Sequence, residues 1–234
     1  INESLKMFNN YNSCPWDNFA PATVTFCEKS LCAWVTRPAE TWSNIGFIIF
    51  GIYVLYLVKK ENRPHLQEIG YTGIILGITS GIFHANGVFW GEFLDVSSMF
   101  LLVCVGASYN LKRIYKLTNL KRRLYMFLAT LSAMTMLWFF KPIGITLFGI
   151  MFASVVLIEV YIYKTIKQSV DYKYFKMMVV TFLIAWGIWW LDILKILCNP
   201  DNHLFTGHSF WHLACSLLIY YIYKFYDQFE ELVD

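Results

Sequence analysis

Two histidines, His208 and His212, stand four positions apart at the start of the last apolar stretch of the sequence. In an α-helix, residues at i and i+4 project from the same face, so the two imidazoles can bind one metal ion. An ionisable side chain inside an apolar helix is costly without a partner and marks a functional site by default. The pair therefore predicts a metal or cofactor site and requires a further ligand from elsewhere in the chain.

His84 can supply this ligand, and two further polar side chains accompany it. Ser80 and His84 lie one helical turn apart near the end of one apolar stretch, and Asp95 lies at the start of the next. Three imidazoles with one open coordination position are typical of catalytic zinc, which activates water and polarises a carbonyl oxygen in amide or ester hydrolysis. We expect Asp95 to transfer the proton or to orient a histidine ligand, and Ser80 to hydrogen-bond the water or the developing oxyanion. For Ser80, a hydrogen bond between helices is the simpler alternative.

The composition places these residues in a membrane protein. Of the 234 residues, 57% are hydrophobic and only 15% are charged, and the mean hydropathy is +0.48, which is too apolar for a soluble domain. The basic residues lie in short clusters between apolar stretches, a pattern that gives no indication of nucleic-acid binding. Seven stretches have spanning length: 41–58, 69–87, 93–111, 123–140, 142–163, 174–197 and 207–225.

These stretches predict an all-α, polytopic membrane protein with seven transmembrane helices. Segment 1–40 is expected to be extracytoplasmic, 41–225 to form the helical domain, and 226–234 to be a short cytoplasmic tail. Most of the 19 Lys and Arg residues follow the first, third, fifth and seventh stretches, so the positive-inside rule puts the N-terminus outside and the C-terminus in the cytoplasm. The site residues then share one depth, toward the extracytoplasmic (periplasmic or lumenal) side.

Four of the six cysteines fall on this predicted outer side: Cys14, Cys27, Cys32 and Cys198. Disulfides persist in extracytoplasmic compartments, and four cysteines can form two bridges in three different pairings. Unpaired thiols are the other alternative. The residues alone leave the pairing open.

In combination, Ser80 with His84, Asp95, and the pair His208 and His212 in the last helix resemble the signature of the alkaline ceramidase and adiponectin-receptor superfamily of membrane hydrolases. Within that superfamily, the chain is most similar to the alkaline ceramidases, over nearly its whole length. The resemblance implies that the three histidines hold zinc and that Ser80 and Asp95 surround the catalytic water. It also implies a ceramide-like membrane lipid as substrate, cleaved to a sphingoid base and a fatty acid.

Two further features follow from the same resemblance. It implies a disulfide between Cys27 and Cys198, which leaves Cys14 to pair with Cys32. It also implies a calcium site in the N-terminal segment, of which this chain retains the carboxylates Glu28 and Glu40. Calcium takes about 6 to 8 oxygen ligands, so these two residues predict at most a weak site.

Two other functions stay open on the sequence. One is a seven-helix lipid-sensing receptor of the same superfamily with little hydrolase activity, although the short tail offers little for a cytoplasmic partner. The other is a membrane electron-transfer protein that holds haem between one histidine of the second helix and one of the seventh. Asp95 and the third histidine favour zinc over haem.

Overall fold

The computed structural model describes residues 14–166 and 169–232 of the chain. Within these ranges the fold is all α-helical, and one isolated antiparallel bridge joins Pro21 to Val88. The helices are α1 (Pro38–Trp42), α2 (Ile45–Lys60), α3 (Gln67–Asn86), α4 (Phe89–Tyr115), α5 (Asn119–Phe139), α6 (Gly144–Thr165), α7 (Lys173–Ile193) and α8 (Gly207–Tyr226). Each of the seven apolar stretches corresponds to one long helix from α2 to α8, so the predicted all-α fold with seven long helices is confirmed.

Membrane crossing is supported most directly for part of the bundle. Among the described residues, four helical segments are long and apolar enough to cross a bilayer: Pro38–Lys60, Phe89–Tyr115, Lys141–Thr165 and Lys173–Ile193. The other long helices, α3, α5 and α8, have 20 or 21 residues each but a more polar composition. Helices α3 and α8 carry the histidines and face the bundle interior. A crossing by all seven helices, the orientation of the ends and the division into segments stay predictions.

Close packing of α2 against α3 fixes the position of the site. A Cβ atom added to Gly51 of α2 would lie 2.7 Å from the carbonyl oxygen of Gly70 in α3, so only glycine allows the two backbones to approach this closely. Small residues at helix interfaces have this role in membrane bundles. Helix α8 packs against both α7 and α2, and α4 packs against the other side of α3. The C-terminal end of α3 and the N-terminal ends of α4 and α8 are thereby brought around one point, and we call these the outer ends after their predicted side of the membrane.

The described part of segment 1–40, which we call the external segment after its predicted side of the membrane, is tied to the bundle by one disulfide bond. Cys27 is bonded to Cys198, which follows α7, and their Cα atoms are 5.4 Å apart. Cys14 is bonded to Cys32 within the external segment itself. This is the pairing that the family resemblance implied, and it is confirmed. The first bridge holds residues on either side of Cys27 against the outer ends of α3, α7 and α8.

Candidate metal centre

Three buried histidines converge at the outer end of the bundle. His84 comes from the last turns of α3, and His208 and His212 come from the first two turns of α8. Their relative exposures are 0%, 3% and 2%, and one ring nitrogen from each lies within 4.8 Å of the others. Within the described ranges, this is the group of His, Cys, Asp or Glu side chains whose spacing suits a metal ion.

The spacing of the imidazoles fits a bound metal. Nε2 of His84 lies 3.2 Å from Nε2 of His208. Zinc–nitrogen bonds of about 2.0 to 2.1 Å at tetrahedral angles place two ligand nitrogens about 3.3 Å apart. Opposite axial ligands of a haem iron would lie about 4 Å apart by the same bond length, so the shorter distance between His84 and His208 suits a shared zinc ion better than an axial pair. A cation would also compensate the polar nitrogens that are buried together here.

Two of the three histidines, His84 and His212, have a hydrogen-bond partner on Nδ1. Their Nε2 atoms are therefore free to bind a metal. Nδ1–H of His84 donates a hydrogen bond to Oε2 of Glu40 at 2.9 Å. Oγ of Ser43 donates to the carbonyl oxygen of Glu40 at 3.0 Å and therefore accepts from Nδ1 of His212, 2.8 Å away. A partner on one ring nitrogen fixes the tautomer and leaves the lone pair of the other nitrogen for a metal. The sequence did not predict this role for Glu40 or Ser43.

The start of α8 is held by a buried carboxylate. Asp192, at the outer end of α7, accepts the backbone N–H of His208 at 3.0 Å and that of Cys27 at 2.8 Å. Thr206 and Ser209 form a reciprocal capping box at the same helix end. A Cβ on Gly207 would lie 3.0 Å from Cβ of Asp192, so a larger residue here would require the carboxylate to move by a few tenths of an ångström. These contacts set the position of the first histidine of α8.

Glu28 and Glu40, the two carboxylates that the resemblance assigned to a calcium site, are engaged within the protein. Both oxygens of Glu28 accept backbone N–H groups at the start of α1, from Ala39 and Glu40, each at 3.0 Å. Oε2 of Glu40, besides binding His84, lies 3.2 Å from Nη1 of the buried Arg37. A guanidinium beside one carboxylate and N–H donors on the other do not fit a calcium site, which needs a shell of oxygen ligands.

Ser80 and Asp95 lie beside the histidines. Both side chains line the same internal cavity as His208 and His212, and the Ser80 and Asp95 side chains interact with each other. Ser80 is one turn before His84 on α3, and Asp95 projects from the second turn of α4. The structure thus brings the five predicted site residues together at one depth.

The cavity below these residues is elongated and mainly apolar. Its empty volume is about 1410 Å³, with the open space at its mouth included. It extends from Ser80 and Asp95 at the outer end to Tyr226 near the end of α8. Apolar cavities with a few polar groups at one end suit amphipathic ligands.

Comparison with known proteins gives one consistent result. The sequence model of the family described as Ceramidase matches residues 20–232, which include the external segment from Cys27 onward, the three histidines and all the long helices. The chain is 25% identical to alkaline ceramidase 1 of Mus musculus over 222 residues, covering 87% of this chain and 78% of that protein. It is also 25% identical to alkaline ceramidase 1 of Homo sapiens over 219 residues, covering 87% and 81%. The predicted resemblance is confirmed, and this chain belongs to the ceramidase family.

Proposed function

We propose that this protein is a zinc-dependent amidohydrolase of the membrane that cleaves ceramide, or a similar long-chain lipid amide, to a sphingoid base and a fatty acid. The observation that carries the proposal is the position of three convergent histidines, with Asp95 and Ser80, at the polar end of a long apolar cavity. Membership of the ceramidase family supports the substrate class.

The roles of the residues follow from their chemistry. His84, His208 and His212 would hold the metal through the ring nitrogens that face one another. Zinc supplies a Lewis acid for the amide carbonyl and makes water a stronger nucleophile near neutral pH.

Proton transfer is assigned to the neighbouring carboxylate. Asp95 accepts a proton from the attacking water and delivers it to the nitrogen of the amide as the carbon–nitrogen bond breaks, which releases a carboxylic acid and an amine. Ser80 contacts Asp95, and its single O–H would donate to that carboxylate before the attack. Once Asp95 has taken the proton of the water, the same O–H is free to donate to the oxyanion that develops from the carbonyl oxygen.

The cavity gives the lipid a place on either side of its amide. The hydroxyl groups of a sphingoid base suit the polar mouth of the cavity, where Thr23, Glu92 and Lys141 lie. The acyl chain is apolar from the carbonyl onward and suits the interior. We infer that the lipid approaches laterally from the bilayer at its extracytoplasmic side, as the predicted topology requires.

Metal analysis combined with fatty-acid release tests the proposal. The purified protein should contain zinc and release fatty acid from ceramides but not from phospholipids. His84→Ala should lose the metal, whereas Asp95→Ala should retain it and lose turnover by about 100-fold or more. Asp201→Ala, which removes an exposed acid from the loop before α8, is the matched control and should keep both. Failure of the zinc-loaded protein to cleave any ceramide would refute the function, and full turnover by Asp95→Ala would remove Asp95 from it.

A further inference from the structure

The cavity runs parallel to the helices along most of their length. Each of four helices presents one stripe of residues to it, spaced three or four positions apart as on a single helical face. The stripes are Val96, Met99, Val103 and Gly106 on α4; Gly144, Phe148, Phe152 and Val155 on α6; Phe175, Met178, Phe182, Trp186 and Trp189 on α7; and His212, Cys215, Leu218, Ile222 and Tyr226 on α8. A cavity bordered in this way has a defined depth along the helix axes.

The depth can be measured from the helical rise. From Asp95 to Gly106 on α4, the distance is about 17 Å at 1.5 Å per residue, and from His212 to Tyr226 on α8 it is about 21 Å. A carbon–carbon bond of about 1.52 Å at a tetrahedral angle advances an extended chain by about 1.25 Å. The cavity therefore accommodates a straight chain of about 14 to 18 carbons, counted from a carbonyl at the metal centre.

The inner end of the cavity is closed by the side chain of Tyr226, whose hydroxyl is hydrogen-bonded to α4. The hydroxyl of Tyr226 donates to the carbonyl oxygen of Gly106 at 2.9 Å and lies 2.9 Å from Oδ1 of Asn110. Beyond it, a buried ion pair joins Arg113 to Glu159 at 2.6 Å. An apolar chain that passed Tyr226 would meet these charges, and separating or exposing them to hydrocarbon is strongly unfavourable.

We propose that Tyr226 and Gly106 form the floor of the acyl-chain cavity and set the longest fatty-acyl chain that the protein cleaves efficiently. This proposal rests on the proposed function, because it assigns the interior cavity to the acyl chain of the lipid amide. The sphingoid chain, whose hydroxyl groups lie beside the amide, is placed at the polar mouth with Glu92 and Lys141. The cavity therefore limits the length of the acyl chain and not that of the sphingoid chain.

A substitution at Gly106 can raise the floor without disturbing the fold. A Cβ there would meet the Tyr226 hydroxyl at 3.7 Å and the Val155 side chain at 3.8 Å, which are ordinary contacts. Side chains on a helix tilt toward its N-terminus, so a leucine at this position would extend up the cavity toward the metal centre. It would occupy the space of the last two to four carbons of a long acyl chain, by the same rise of about 1.25 Å per carbon.

The test compares kcat/KM for ceramides that share one sphingoid base and carry acyl chains from twelve to twenty-four carbons. In the unmodified protein, we expect a fall of about tenfold or more beyond eighteen carbons, since one methylene too many in a closed apolar pocket already costs about tenfold. Gly106→Leu should move this fall to chains two to four carbons shorter, so that the ratio of kcat/KM between the eighteen-carbon and the twelve-carbon substrate drops by about tenfold or more. Tyr226→Leu should move it to longer chains, and Tyr226→Phe, which keeps the ring, should leave it in place.

Gly187→Leu is the matched control. Gly187 lies on α7, is exposed and is not among the residues that line the cavity, and nothing lies within 4 Å of its added Cβ. The same side chain is therefore placed outside the cavity, and the profile should not change. Equal cleavage of sixteen- and twenty-four-carbon substrates by the unmodified protein would overturn the floor, as would an unchanged profile in Gly106→Leu. A shift with sphingoid length instead of acyl length would also overturn it.

Lipid retention separates this proposal from the proposed function. Native mass spectrometry of the Asp95→Asn variant shows which ceramides the protein binds, and this measurement does not require turnover. If the protein retains ceramides up to about eighteen carbons and Gly106→Leu shortens that limit, the floor stands even where hydrolysis fails. If all lengths are cleaved and retained alike, the floor is wrong while the hydrolase function stands.

Discussion

Replacement of Glu40 should weaken metal binding, although its carboxylate contacts His84 only at Nδ1 and not at the nitrogen that would bind the metal. Oε2 of Glu40 lies 2.9 Å from Nδ1 of His84, on the side of the ring away from the other histidines. The carboxylate fixes the tautomer that leaves Nε2 unprotonated and makes the imidazole more basic. Loss of such a partner lowers metal affinity by about 10- to 100-fold in comparable sites.

The hydrogen bonds give an order of effects. A hydrogen bond to a charged group contributes about 1.5 to 3 kcal/mol, and every 1.4 kcal/mol is about tenfold in affinity. Glu40→Gln keeps a neutral acceptor, so we expect a loss of about tenfold, whereas Glu40→Ala removes the acceptor and should lose about 100-fold. Ser43→Ala removes a neutral partner of His212, for which about 1 kcal/mol corresponds to about fivefold.

Competition with a chromophoric zinc chelator measures these affinities in detergent solution. Glu61→Gln is the control, because that carboxylate binds Tyr223 and Lys224 at the opposite end of the bundle and should leave zinc affinity unchanged. Glu40→Ala also leaves Arg37 without its ion-pair partner, so circular dichroism should accompany the titration to show that the helices persist. Zinc affinity that is unchanged in a folded Glu40→Ala protein, or lowered more by Ser43→Ala, would refute this account of the centre.

Two further predictions concern the external segment. Because Glu28 and Glu40 are already bonded within the protein, a calcium-selective chelator should leave turnover and the melting temperature unchanged, while a zinc chelator removes turnover. Loss of turnover with the calcium chelator alone would contradict this. Serine substitution of both cysteines in the Cys27–Cys198 bridge should lower the melting temperature more than the same change in Cys14–Cys32. The sequence separations are 171 and 18 residues, and loop-closure entropy puts the difference near 2 kcal/mol, so equal shifts in thermal unfolding would argue against it.

The long helices were predictable because each apolar stretch is longer than a soluble core element requires, but two boundaries were not. The first stretch, 41–58, contains a break between α1 and α2, where the side chains of Ser43 and Asn44 both donate to the carbonyl oxygen of Glu40. Such local bonds compete with helix continuation. The sixth apolar stretch extends to residue 197, but α7 ends at Ile193. The helix stops there because Lys195 adopts a left-handed conformation with φ of 57°.

The metal centre was predictable only in part. Helical spacing and topology identified the three histidines, since both depend on local pattern. The contacts that orient them join residues far apart in the chain, such as Glu40 with His84, and no local pattern reports a contact of that kind. Glu40 was instead assigned to a calcium site by resemblance, and the buried Arg37 beside it gave no signal, because surface and buried arginines look alike in a sequence.

The three histidine rings are oriented by different contacts. His84 and His212 each have a hydrogen-bond partner on Nδ1, whereas Nδ1 of His208 has none among the described residues. The ring of His208 instead packs at 3.8 Å from that of Phe26, the residue before the Cys27 bridge. Its orientation therefore depends on the external segment, which Asp192 and the disulfide fix in place. The segment that is predicted to be extracytoplasmic is thus part of the wall of the candidate metal centre, and its packing sets the position of the His208 ring.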